Sequence, residues 1–170
     1  MKPLCRELRE KIQEHGRWIL YVFPTDNTEG PPFAYTIGNH EKGLPELLVV
    51  GTEKGGFLND LSAIMVNRGK QFPDGEIVDL GGTFPVKIVD ANPAARERCT
   101  IQVGQYYGIE TYAVQQVLIP DRKGRFPDNA ECDEPFKSFG PRRSRTDDVA
   151  GQSETPGRPT PFAMRRAPTR

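Results

Sequence analysis

A strand-like segment followed by a histidine is the first place where the residue types could do chemistry. Tyr35 and Thr36 lie in the segment Phe33–Ile37, Gly38 follows, and His40 comes two residues later. Polar side chains at a strand end, beside a glycine that lets backbone approach a ligand, are typical of a pocket wall. We therefore predict that Tyr35, Thr36 and His40 contact a ligand. The structural alternative is that Tyr35 and Thr36 alternate between the two faces of a sheet.

His40 is also the better of the two histidines as a candidate catalytic base, since an imidazole titrates near neutral pH. Glu41 or Glu46 could orient it. No serine or cysteine nucleophile lies nearby in the sequence, so no complete catalytic set is identified.

A charged turn at residues 120–127 offers a second candidate. Asp121 can accept backbone hydrogen bonds within a turn that a glycine helps to form. Arg122, Lys123 and Arg125 could form a basic clamp for a phosphate or carboxylate. We count Asp121, Arg122 and Arg125 among the predicted ligand-binding residues, with a purely structural turn as the alternative.

The glycine-rich segment 51–56 lies between an apolar run and a helical pattern. A loop that leads into a helix can hold an anion at the helix N-terminus. The spacing matches neither the dinucleotide-binding nor the phosphate-binding glycine motif, so we predict a flexible connection.

Short strands and helices must position these segments, and the spacing of apolar residues in the sequence predicts where they lie. Apolar residues three and four apart predict helices ending at Gly16 and spanning 55–68, and Asn92 with Pro93 predicts a capped helix to residue 99. Alternating or continuous apolar runs predict strands at 17–23, 33–37, 47–50, 77–80, 84–89 and 112–119, while 100–105 is ambiguous. The short early connections favour an α+β domain: a mostly antiparallel sheet with helices packed on one face.

Composition excludes several classes of protein. The 170 residues carry 23 basic and 23 acidic side chains, so no overall charge attracts nucleic acid or an anionic membrane. We find no apolar run long enough for a membrane span and no signal peptide, and we expect a cytoplasmic protein. The cysteines and histidines lack the spacing of a zinc site, so we predict no metal.

We divide the chain into one domain, residues 1–137, and a tail, residues 138–170. The tail contains seven arginines and three acidic residues, much proline, and almost nothing apolar. Such a composition cannot bury enough surface to offset its ordering entropy, so we predict a disordered tail. We predict no nucleic-acid partner except through this basic tail.

Several blocks in a fixed order resemble the bacterial family known as domain of unknown function 4262. The matching residues are His15, Gly16 and Trp18; 33–38; 45–47; and 120–127, so the likeness covers roughly residues 4–136. The chain departs from the family pattern by inserting Arg17 before the tryptophan, by Leu44 where a histidine is frequent, and by Asp128 and Asn129 for Trp-Glu. The resemblance implies a fold and no activity.

Two functions remain open. The first is a module that binds a small molecule or a protein, which fits the lack of a catalytic set. The second is an enzyme or a flavin-binding protein of split-barrel type with its pocket near Tyr35 and His40, an analogy at the level of strand order only.

Overall fold

The computed structural model of the chain describes residues 3–27, 29–134 and 136. Its elements follow the order, and nearly the positions, that the sequence patterns predict. They are α1 (Pro3–His15), β1 (Trp18–Val22), β2 (Phe33–Ile37), β3 (Glu46–Val50), α2 (Phe57–Arg68), β4 (Glu76–Val78), β5 (Val86–Asp90), α3 (Pro93–Cys99), α4 (Ile101–Tyr107) and β6 (Val114–Leu118), with a 3-10 turn at His40–Lys42. The predicted tail, residues 138–170, lies outside the described residues.

In the described ranges, six strands form one sheet in the order β1-β2-β3-β6-β5-β4. Neighbours run antiparallel except β3 and β6, which are parallel and place Glu46 beside Val114. The predicted α+β class with a mostly antiparallel sheet is confirmed. β1, β3 and β6 begin at one end of the sheet, where β2 and β5 finish. We call this the front end, and the end where β6 finishes the back end.

Helices cover both faces of the sheet, which differs from the expectation of one covered face. On one face, Leu58 of α2 packs in the same cluster as Ala34 and Val49. On the other, α1, α3 and α4 pack against a cluster that contains Leu48 and Val50. Successive strand side chains point to opposite faces, so the unbroken apolar run of β3 requires cover on both.

The two short helices α3 and α4 follow β5 directly. Asn92 caps α3 as predicted, and its Oδ1 accepts a hydrogen bond from the Ala95 N–H at 3.0 Å. In the ambiguous segment 100–105, Thr100 is a cap residue, and residues 101–105 are helical and form most of α4. At the junction, the Thr100 hydroxyl donates to the Arg96 carbonyl at 2.9 Å. None of the helices in the described ranges combines the length and the apolar composition that a membrane span requires.

Candidate functional site

A buried carboxylate organises the front end of the sheet. Glu46, the first residue of β3, is fully buried. Its Oε1 accepts hydrogen bonds from the N–H groups of Gly38 and His40, each at 3.0 Å. Its Oε2 accepts from the Thr36 hydroxyl at 2.6 Å and from the Asn39 N–H at 3.3 Å. The carboxylate therefore holds the turn that follows β2.

Asn39 and Ser62 extend this cluster to helix α2. The Asn39 Nδ2 donates to the Ser62 Oγ at 3.0 Å, and the Thr36 Oγ1 accepts from the Leu47 N–H at 2.9 Å. Thr36, Asn39, Glu46 and Ser62 are all fully buried, and we call them the Glu46 network. Buried polar groups are stable only with such partners, so the network fixes β2, β3 and α2 relative to one another.

The Glu46 network also decides what the front-end turn can bind. Burial raises the pKa of the Glu46 carboxyl above its ordinary value, and hydrogen bonds from Thr36 and three backbone N–H groups oppose that rise. Successive N–H groups of a turn form a concavity that attracts anions. Here the side chain of Glu46 occupies it, so these three N–H groups are already engaged.

The structure separates the three front-end residues that the sequence predicts as ligand contacts. Thr36 lies inside the Glu46 network, and the His40 N–H is bonded to the same carboxylate. Tyr35 is fully buried on the opposite face, where its hydroxyl donates to the side-chain oxygen of Gln102. The His40 ring packs against Tyr107, with 4.9 Å between the ring centroids. Tyr35 and Thr36 thus alternate between the faces of the sheet.

Asp121 anchors the turn at the back end. Its buried carboxylate accepts from the N–H groups of Lys123, Arg125 and Asp133 at 2.8, 2.9 and 3.0 Å, and from the Arg125 Nε at 2.9 Å. The Arg125 Nη2 donates to Asp133 at 2.7 Å. Although burial acts to raise it, these hydrogen bonds lower the pKa of Asp121 below its usual value. Asp121 and Arg125 therefore bind each other and the surrounding backbone.

Arg122 projects from this turn and is exposed. It lines a surface groove together with Asp133, Glu134 and Phe136, so acidic groups lie beside the basic one. The turn follows the last residue of β6 and lies at the back end, whereas His40 lies at the front end. The six predicted residues consequently fall in three separate places rather than in one site.

A larger groove lies along edge strand β1, beside the start of α2. Arg17, Ile19 and Tyr21 occupy alternate positions and so share the face covered by α2. The groove has a volume of about 510 Å³, and we call it the Arg17 groove; its lining residues are His15, Arg17, Trp18, Ile19, Tyr21, Gly56 and Asn59.

Arg17 brings a partly used guanidinium to this groove. Its Nη1 donates to the Asn59 carbonyl at 3.2 Å. Its Nε is buried and has no hydrogen-bond partner among the described residues. Burial lowers the pKa of Arg17, and the Glu46 carboxyl opposes that effect. An arginine nonetheless stays protonated in proteins, so the groove contains a half-buried positive charge whose buried Nε has no partner among the described residues.

Tyr21 forms an aromatic wall of the Arg17 groove. Its side chain is 41% exposed and stacks on Phe23 with 6.4 Å between ring centroids. The ring also lies against Gly55, where an added Cβ would come within 3.3 Å of Tyr21 and 2.9 Å of the Ala34 Cβ. A glycine in the 51–56 loop therefore gives the tyrosine ring its place beside the groove.

Gly38 connects the front-end turn to Arg17. It adopts a φ of +130°, and a Cβ added there would lie 2.6 Å from the Arg17 Cα and 2.7 Å from the Gly16 carbonyl oxygen. Only glycine permits this approach of two backbones. The same residue donates its N–H to Glu46, so the Glu46 network and the Arg17 groove share one support.

The sequence motifs did not point to Arg17, Tyr21 or Asn59 as site residues. The alternation of Arg17 and Tyr21 along a strand was a usable signal, because it places both on one face. What the sequence did not show is that the first turn of α2 would lie beside that strand. The 51–56 segment, predicted as a flexible connection, brings Gly56 to the groove rim.

The described residues offer groups that suit an organic ligand. Within them, no three His, Cys, Asp or Glu side chains cluster in a way that could hold a metal ion. The Arg17 groove has the size and mixed lining of sites for small organic molecules. Its guanidinium suits a carboxylate or phosphate, and the Tyr21 ring suits a flat apolar group.

Fold and groove together define a small α+β domain with a mixed six-stranded sheet in its described part and a charged, aromatic groove beside an edge strand. The model of the family described as Domain of unknown function (DUF4262) matches residues 11–133. The chain belongs to this family, as the sequence blocks indicated. No curated protein and no solved structure matched the chain.

Proposed function

We propose that this domain binds a small organic anion with a flat apolar body, held in the Arg17 groove. The observation that carries the proposal is the half-buried guanidinium of Arg17, which lines the groove. Its Nη1 donates to the Asn59 carbonyl at 3.2 Å, and Arg17 forms no ion pair with another described residue. A ligand carboxylate or phosphate against this guanidinium would gain charge-assisted hydrogen bonds, and binding would be favoured accordingly.

The dimensions and lining of the groove support a small ligand. Its volume of about 510 Å³ falls within the range of about 300–1,000 Å³ that is common for ligand sites. Arginine presents a planar fork that matches carboxylate and phosphate oxygens. Tyr21 offers a half-exposed ring for stacking. Charge and stacking together favour an aromatic carboxylate or phosphate over a neutral or an aliphatic compound.

A thermal-shift screen tests this proposal. Aromatic carboxylates and aromatic phosphate esters should raise the melting temperature, whereas neutral analogues of the same size should not. Arg17→Met should abolish the shift. Arg9→Met serves as the matched control because Arg9 is an exposed arginine on α1. Equal shifts in the Arg17→Met and wild-type proteins, or no shift with any anion, would rule the proposal out.

The sequence-based alternative is an enzyme or a flavin-binding protein. A flavin mononucleotide carries both a flat ring and a phosphate, so it belongs to the class of ligands that the groove would accept. The visible absorbance of the protein purified from its own host separates the two functions. A flavin band that Arg17→Met removes would support the cofactor function, and a colourless protein that binds other aromatic anions would support the binding module.

A further inference from the structure

A second cavity lies at the front end of the sheet, where β5 finishes and β6 begins. It has a volume of about 240 Å³. An engineered cavity of about 150 Å³ holds benzene, so this one has room for a somewhat larger molecule. We call it the Arg96 cleft; its polar lining residues are Gln71, Asp90, Asn92, Arg96, Tyr112 and Gln115.

Arg96 contributes a cation that the protein leaves largely unpaired. Its Nε is buried and has no hydrogen-bond partner among the described residues. The guanidinium carbon lies 5.7 Å from the centre of the Tyr112 ring. In the described part of the chain, its only ion-pair partner is Glu97, at 3.8 Å, and the Glu97 side chain is 70% exposed. Such an exposed pair contributes little, so the guanidinium of Arg96 has no strong anionic partner of its own among the described residues.

Asp90 contributes a carboxylate whose position is fixed by its neighbours. The Gln115 Nε2 donates to Asp90 Oδ1 at 2.9 Å and to the Phe72 carbonyl at 2.8 Å. The Asp90 N–H donates to Asp74 Oδ1 at 2.8 Å. The cleft is therefore lined by a guanidinium and a carboxylate that do not form an ion pair with each other.

We propose that the Arg96 cleft is a binding site for a small zwitterion of the amino-acid type. The ligand carboxylate meets the guanidinium of Arg96, and the ligand ammonium group meets the carboxylate of Asp90. The presence of Asp90 disfavours inorganic phosphate and dicarboxylates, because their second negative charge would face a fixed carboxylate. The small volume limits the ligand to a single amino acid or a compound of similar size. This site is separate from the Arg17 groove.

Nuclear magnetic resonance of the full chain tests the proposal directly. The Nε–H signal of Arg96 is identified as the arginine side-chain signal that Arg96→Lys removes. The probes are a panel of single L-amino acids, the matching amines and carboxylic acids that lack one charged group, and inorganic phosphate. The expected result is that at least one amino acid shifts the Arg96 signal saturably, whereas its single-charge analogues do not. The titration itself uses the wild-type protein, and the Arg96→Lys variant serves only to assign the signal.

Substitutions supply the second measurement. Arg96→Lys keeps the charge and loses the planar fork, and Asp90→Asn removes the partner of the ammonium group; each should weaken affinity about tenfold or more. Arg98→Lys is the control, since Arg98 lies on the same helix and is exposed. No shift with any amino acid, a response to phosphate alone, or equal affinity in the Arg96→Lys and Arg98→Lys proteins would overturn the proposal.

Discussion

The hydroxyl of Thr36 donates a 2.6 Å hydrogen bond to the carboxylate of Glu46, and both residues are fully buried. Three backbone N–H groups complete the set of donors around this carboxylate. A carboxylate inside a protein is stable only when its desolvation is offset by such donors. The front end of the sheet therefore depends on one acidic side chain.

Glu46→Gln should destabilise the fold. The new amide NH₂ would face backbone N–H donors, and some of these buried donors would lose their acceptor. We expect the free energy of unfolding to fall by about 3 kcal/mol, measured by urea denaturation with Trp18 fluorescence. Glu41→Gln is the matched control, because Glu41 is exposed, and it should change stability by less than about 0.5 kcal/mol. Equal denaturation midpoints for the two variants would contradict the role of Glu46.

The raised pKa of Glu46 predicts a pH dependence of stability. Between its ordinary and its raised pKa, the folded state binds more protons than the unfolded state does. The Glu46 contribution is thus fully present below the ordinary pKa and is lost as pH rises through the raised one. Free energies of unfolding measured at several pH values should show this fall in the wild type and not in Glu46→Gln. Parallel pH curves for the two proteins would show that Glu46 titrates normally.

Asp121 should give stability the opposite dependence on pH. Its pKa is lowered, so its contribution is present above the ordinary aspartate pKa and is lost as pH falls toward the lowered one. Asp121→Asn should therefore reduce stability at neutral pH and reduce the further loss in acid. Asp26→Asn, at an exposed position, provides the comparison. Acid unfolding curves followed by circular dichroism measure the effect, and identical curves for both variants would refute it.

The close approach at Gly38 can be tested with a pair of alanine substitutions. In Gly43→Ala the new Cβ has free space, so the only cost is the left-handed φ of +70°. We expect the free energy of unfolding to fall by about 1–2 kcal/mol. Gly38→Ala also drives the Cβ into the Arg17 backbone, and we expect about 3 kcal/mol or more. Guanidinium denaturation measures both. A smaller loss for Gly38→Ala than for Gly43→Ala would mean that the backbones separate readily.

Local periodicity was sufficient to predict most elements. The spacing of Leu8 and Ile12, the apolar run in β3 and the cap at Asn92 each correspond to an element of the structure. Residues 100–105 stayed ambiguous because valine and isoleucine fit either a helix or a strand in so short a segment. The cover on both faces depends on where α2 packs, which local patterns do not determine.

The candidate sites were less accessible from sequence, for a physical reason. The donors around Glu46 are mostly backbone N–H groups, which every residue except proline carries, so no sequence motif identifies them. Arg17 and Arg96 become notable only because tertiary packing buries an Nε without giving it a partner. Charged residues that look alike in sequence, such as Arg96 and Arg98, are distinguished by their surroundings alone.

The parallel pairing of β3 with β6 has a consequence for the order in which the protein assembles. During synthesis, β1, β2 and β3 emerge as a meander long before β6 leaves the ribosome. Until then, one side of the apolar strand β3 has no hydrogen-bonding neighbour, and such open edges invite pairing with other chains. We expect the nascent chain to be most prone to aggregation in this interval, and the centre of the sheet to close only when β6 arrives.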